Sequence, residues 1–152
     1  MSKDRDGEIE LLARGVFVRE GKVLVCHNRK KRNCFLPGGH IDCGESAKRA
    51  LKREIREELG LPCKVGRFLG AVEHTFKYHG KRTYEINLVF EMDLGKVCPP
   101  DRPRSMEKKL EFLWVGLAGL RRAGFEPSVF AALLPKWVKA VAGDEKWGSS
   151  IS

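Results

Sequence analysis

Three glutamates, Glu54, Glu57 and Glu58, stand at i, i+3 and i+4 in a segment, Ala47 to Leu59, that contains no helix breaker. A helix there places their carboxylates on one side. Like charges at that spacing repel unless a cation compensates, and hard oxygen ligands suit Mg²⁺ or Mn²⁺, with Mg²⁺ bridging one or two carboxylates to substrate phosphates. Ala47, Leu51, Ile55 and Leu59 form one apolar stripe, and Glu58 projects along its edge. A carboxylate in that position is partly desolvated, which is costly without a partner. Gly38 and Gly39, upstream, let the backbone approach closely, and a carbonyl there (most simply that of Gly38) is a further metal ligand. The plain alternative is a solvated helix face in which Arg53 pairs with Glu57 and Lys48, Lys52 and Arg56 decorate the surface.

The helix carrying these residues is delimited by its own chemistry. Ser46 can cap its start, and Gly60 followed by Pro62 ends it. From Gly39 the chain reads Gly, five residues, Glu45, seven residues, then Arg53-Glu54-Ile55-Arg56-Glu57-Glu58-Leu59-Gly60-Leu61. This pattern resembles the Nudix box of the Nudix hydrolase (MutT-like) family at every defining position between Gly39 and Leu61. The resemblance implies that Glu57 and Glu58 are the principal metal ligands and that Glu54 either binds metal or acts as general base. It implies that Arg53 orients the catalytic glutamate. Glu45, with Gly39, supports the loop or holds a water beside the metal; a simple helix-start charge is the other reading of Glu45. Many relatives recruit one more acid downstream of the box, for which Glu111 is the candidate and Glu107 and Glu85 are rivals.

The elements around this stretch read as follows. Residues 9–18 and 22–26 are apolar and rich in β-branched residues, with a hairpin turn at Arg19-Glu20-Gly21-Lys22. Gly15 marks a bulge or a close ligand. Residues 63–76 and 83–93 read as a second hairpin turning at Tyr78-His79-Gly80-Lys81, and in the latter strand Tyr84, Ile86, Leu88 and Phe90 alternate as one core face. Residues 95–105 form a proline-rich surface loop, Leu110 to Val115 a short strand, and Ser128 to Ala142 a helix that Pro135 should kink or split. The tail from Gly143 is expected to fray. Strands on both sides of a central helix give an α/β (α+β) arrangement of helices around a mixed sheet, a single domain over residues 1–152. The family resemblance implies the same, an α/β/α sandwich whose box forms a loop–helix–loop.

Composition bounds the partners. The chain has 152 residues, 42% hydrophobic and 32% charged, with a net charge of +9, which favours phosphate-bearing ligands. The charged start MSKDRDGEIE has no apolar signal region, and no apolar run approaches a membrane span, so a cytoplasmic protein without membrane partners is expected. Five cysteines without CxxC spacing argue against a disulfide framework or a zinc site and are read as mostly packing residues, Cys43 included. The run Arg29-Lys30-Lys31-Arg32 is either a solvated loop or an electrostatic lip to a phosphate site.

Hydrolysis of a diphosphate linkage in a nucleoside diphosphate derivative, dependent on Mg²⁺ (or Mn²⁺), is the function these features imply. The alternative is a non-catalytic sensor of a nucleotide or RNA end, motivated by the positive charge. A homodimer is open, since many relatives pair. Within the family, Tyr78, 17 residues beyond Leu61, resembles a position used by dinucleoside-polyphosphate hydrolases. The SQPWPFPxS array of NADH pyrophosphatases is absent, and Phe76 and Lys77 stand where ADP-ribose-specific relatives carry proline. Phe17, Phe76, Tyr84 and Trp114 can stack on a base but read equally as strand core, and no base-binding residue is assigned.

Overall fold

The computed structural model describes residues 7–140 together with Trp147, Ser149 and Ile151. Its strands are β1 (Ile9–Val16), β2 (Val18–Arg19), β3 (Lys22–Asn28), β4 (Asn33–Phe35), β5 (Gly38–His40), β6 (Lys64–Tyr78), β7 (Lys81–Asp93) and β8 (Leu110–Gly116). The described residues also form two helices, α1 (Ala47–Leu59) and α2 (Phe130–Lys139), with a 3-10 turn at Leu117–Gly119. The strands form two four-stranded sheets. In the first, ordered β5-β1-β7-β6, β1 runs parallel to β7 and the other pairs are antiparallel, so the sheet is mixed as expected. In the second, β3 is central: β8 lies along one edge, while β2 and β4 share the other.

The expected first strand, 9–18, is divided. β1 ends at Val16, the fully buried Phe17 carries the chain from one sheet to the other, and the hairpin joins only Val18–Arg19 to β3. Its turn places Glu20 and Gly21 at φ 52° and 71°, the left-handed pair that matches strand twist. Gly15 sits in regular register opposite Phe90, and a Cβ there would lie 2.3 Å from Met92 Sδ. Close packing against Met92, rather than a bulge or a ligand, accounts for this glycine.

The alternation in β7 is also corrected. Tyr84 is exposed, whereas Asn87, Val89, Phe90 and Met92 are all buried. β7 is an interior strand with both faces covered, so burial does not follow one parity. Phe90 and Met92 pack with the α1 residues Ala50, Leu51 and Ile55; Val89 packs with Val25, Leu120 and the α2 residues Phe130 and Leu134.

α2 runs unbroken through Pro135 instead of splitting there. The 95–105 segment lies outside helix and strand, as expected. Cys26 and Cys34 are buried, but Cys43 and Cys98 are exposed, so Cys43 is not a packing residue. The tail expected to fray from Gly143 falls mostly outside the described residues; Trp147 within it packs on Phe68 and Phe90 at centroid distances of 5.3 and 5.1 Å. Among the described residues no helix is long and apolar enough to cross a membrane.

Candidate active site

The box helix forms between the two signals its sequence carries. Ser46, in extended conformation, accepts a hydrogen bond from Arg49 N through Oγ, and Gly60 closes the helix at φ 66° with its N–H donated to Arg56 O. Ala47, Leu51, Ile55 and Leu59 are all buried. Seating that stripe fixes the rotation of the helix and turns Glu58 inward, where the residue is only 6% exposed.

β5 faces this helix. Gly38 and Gly39 pair with Arg14 and Ala13 of β1. Gly38 has φ +132°, and a Cβ on it would lie 2.0 Å from Ala13 O, so only glycine fits against β1. A Cβ on Gly39 would lie 2.4 to 2.7 Å from the carboxylate atoms of Glu54. The glycine pair therefore has two separate uses: one lets the strand lie flat on β1, the other leaves the hollow that Glu54 occupies.

Arg53 organises the loop. Its Nε and Nη2 donate to the two oxygens of Glu45, each at 2.9 Å, its Nη1 donates to Glu54 Oε1 at 2.8 Å, and Nη2 also reaches His40 O at 2.9 Å. Glu57 is a looser partner at 3.5 Å, so the plain helix pair considered from sequence is the weakest of these contacts. Hydrogen bonding to Glu45 and Glu54 holds the Arg53 guanidinium more firmly protonated than usual, and Arg53 in turn draws the Glu45 carboxyl below its ordinary range. Glu45 also accepts from Asp42 N at 3.3 Å, which folds the loop back on itself.

Glu58 is the electrostatic centre. Burial pushes its carboxyl up to about 8, opposed by the charge of Arg14 and a hydrogen bond from Gly38 N at 3.4 Å, and reinforced by Glu54 and Glu107. Glu57 points outward, with 58% of its side chain exposed. Among the described residues no group of three or more His, Cys, Asp and Glu side chains converges at metal-ligand spacing. A cation here would use one or two of these carboxylates together with the Gly38 carbonyl, the rest of its shell coming from water and phosphate. The donor set is entirely hard oxygen, and a buried carboxylate near Glu54 retains a proton where no cation replaces it, so the residues fit Mg²⁺ or Mn²⁺.

Glu111 is engaged elsewhere. On β8, opposite His27, its Oε1 lies 2.8 Å from His27 Nδ1 and its Oε2 3.6 Å from Arg29. Of its rivals, Glu107 is within electrostatic reach of Glu58, and Glu85 acts on Arg14.

Two residues not singled out from the sequence complete the site. Arg14 donates from Nε to Asn87 Oδ1 at 3.1 Å and from Nη1 to Leu36 O and Gly38 O at 3.2 and 3.3 Å. Asn87, 1% exposed, donates through Nδ2 to Val72 O at 3.4 Å. Arg14 also lines a cavity of about 490 Å³ with Asn33, Phe35, His74, Phe76 and Glu126. Phe35 lies under the Arg14 guanidinium at 5.9 Å, and the Oδ1 of Asn33 is buried without a hydrogen-bond partner among the described residues. The available signal was an arginine inside the apolar run Leu11-Leu12-Ala13-Arg14-Gly15-Val16, where a charge must have internal partners. Of the aromatics weighed for base stacking, Phe76 reaches this cavity, whereas Phe17 is buried against Trp114 at 5.8 Å.

A family profile described as NUDIX domain matches residues 10–133. An ADP-ribose pyrophosphatase from Methanocaldococcus jannaschii is 35% identical over 83 residues, 53% of this chain and 48% of that protein. An 8-oxo-dGTP diphosphatase from Buchnera aphidicola is 30% identical over 67 residues, 41% of this chain and 52% of that protein. The chain thus spans about half the length of the curated relatives it matches. Among solved structures, the MutT protein from Methanosarcina mazei superimposes with a TM-score of 0.67 at 22% identity, covering 88% of this chain and 96% of that one.

Proposed function

The chain belongs to the NUDIX domain family, and on that premise we propose that it is a hydrolase of a diphosphate linkage in a nucleoside diphosphate derivative, working with Mg²⁺ or Mn²⁺. The observation that carries this reading is the Arg53-held Glu54 carboxylate set in the hollow over Gly39, one helical turn from the buried Glu58. A protein that only bound nucleotides or RNA ends would have no use for a carboxylate so firmly aimed.

The reaction joins the oxygen of a water molecule to one phosphorus and breaks that phosphorus's bond to the bridging oxygen. The bridging oxygen leaves on the other phosphoryl group, and the protons of water pass to base and solvent. Glu54 is our candidate to receive the first proton, because Arg53 fixes its orientation through Oε1 and no described residue donates to Oε2. Glu58 and Glu57, with the Gly38 carbonyl, are the residues that would hold the divalent cation, which when bound supplies charge neutralisation on the phosphoryl oxygens. The cavity beside Arg14 has the size for a nucleoside, with Phe35 and Phe76 offering ring faces and Asn33 an acceptor that rotation of its amide can present.

Hydrolysis in ¹⁸O-enriched water tests the reading, with nucleoside triphosphates, oxidised triphosphates, dinucleoside polyphosphates, ADP-ribose, nucleotide sugars, NADH and capped RNA offered in turn. Cleavage of one class, with the label on a single product, is expected. Glu57→Gln combined with Glu58→Gln should lower the rate at least about a hundredfold. Full activity in that double variant overturns the assignment.

A further inference from the structure

A second cavity, of about 850 Å³, shares no wall with the first. Its cations are Arg29, Arg102, Arg104 and Lys108, set against only Glu107 and Glu111, so the lining carries an excess of positive charge. Arg29 leans on Glu111, but Arg102, Arg104 and Lys108 are exposed and form no ion pair with any described residue. Their guanidinium and ammonium groups are available to an anion.

The segment bearing Arg102 and Arg104 is anchored at both ends. Trp114 Nε1 donates to Asp101 O at 2.7 Å at its start, and Met106 N donates to Glu58 O at 2.8 Å at its end. Between them Ser105 Oγ accepts from Glu107 N at 3.0 Å. The second anchor is on the glutamate helix itself, at the buried carboxylate residue. The basic cleft is thereby tied to one end of the site, while the Arg14 cavity is tied to the site through Gly38. The cleft also adjoins the buried carboxylate itself, since Glu107 of its lining acts electrostatically on Glu58.

We propose that this cleft binds the phosphate groups of the substrate beyond the scissile linkage, so that the preferred substrates carry a run of three or more phosphates. The inference rests on the hydrolase reading for its orientation, but not for the cleft's affinity. Planar guanidinium forks match phosphate oxygens in pairs, and an uncharged sugar in the same place gains nothing from four cations.

Two measurements test it. The first is the ratio of kcat/KM for a dinucleoside tetraphosphate to that for a nucleotide sugar, in wild type, in Arg102→Glu with Arg104→Glu, and in the charge-neutral Arg102→Gln with Arg104→Gln. The ratio should fall at least about tenfold in the reversed variant and less in the neutral one. The second is calorimetric binding of inorganic tripolyphosphate in chelator, in Glu57→Gln with Glu58→Gln and in the same protein carrying the arginine reversals. Affinity should fall at least about tenfold with the reversals, and its salt dependence should become shallower. An unchanged substrate ratio together with unchanged tripolyphosphate affinity overturns the proposal. So does a 5′-hydroxyl RNA binding through the same arginines as tightly as tripolyphosphate, which makes the cleft a backbone-tracking surface. If no phosphoanhydride is cleaved while tripolyphosphate binding still depends on Arg102 and Arg104, the hydrolase reading has failed and the phosphate cleft stands.

Discussion

Arg53 grips Glu45 through both carboxylate oxygens, at 2.9 Å each, and only the remaining nitrogen of its fork reaches Glu54. The aim of the proposed catalytic carboxylate is thus set from a loop residue eight positions upstream of Arg53. Lysine has three donors but no planar fork, so it cannot grip both oxygens of Glu45 and aim Glu54 at the same time. Arg53→Lys is expected to lower kcat about 10- to 100-fold while KM moves little, as read by steady-state kinetics. A rise in KM with kcat unchanged would make Arg53 a substrate ligand.

The carboxyl of Glu58, raised by burial to about 8, contributes a pH dependence to the stability of the metal-free protein. Its folded-state pKa lies above the unfolded value of 4.5, so its contribution is fully present below that value and is lost as pH rises through about 8. Thermal melts in chelator should show wild type losing stability over this window, by an amount on the order of a few kcal/mol. Glu58→Gln should flatten the slope and melt higher than wild type near the top of the window. Equal slopes in both proteins would contradict the assignment.

The two glycines of β5 should fail differently. In Gly39→Ala the new methyl meets the end of the Glu54 side chain, which can move aside. Activity should drop about tenfold or more with little change in melting temperature. In Gly38→Ala the methyl meets backbone at a φ of +132°, which cannot move cheaply. That variant should lose several degrees of melting temperature, about 1–3 kcal/mol.

Arg14 couples the Asn87 hydrogen bond to the glutamates. Arg14→Met leaves Asn87 Oδ1 without its donor and removes the charge that draws Glu58 down. The expected cost is about 1–3 kcal/mol of stability. A ¹³C NMR titration of Glu58 in chelator should show its midpoint moving higher, not lower.

The box helix was legible from end to end because its determinants are local. Ser46, the Ala47–Leu51–Ile55–Leu59 stripe and Gly60 act within a few turns of one another, and Glu58 inherits its burial from that stripe. The apolar run around Arg14 signals a charge with internal partners, but nothing near it in the chain announces that β1 will lie between β5 and β7 with Asn87 beside it. The β7 alternation misled for the same reason: parity marks a strand covered on one face, and β7 is covered on both. The division at Phe17 is equally a tertiary event, since Val16 and Val18 on either side of it are apolar and β-branched and would suit a single strand.

The parallel pairing of β1 with β7 has a kinetic consequence. Ile9 lies opposite Tyr84 and Val16 opposite Glu91, so the first sheet closes only across a loop holding the whole box. Such a closure is entropically slow, and β5 gains its place beside β1 within the same sheet. On a ribosome, the box helix can emerge and coil early, yet Gly38 and Glu58 meet Arg14 in a finished sheet only after the chain beyond Glu91 has been made.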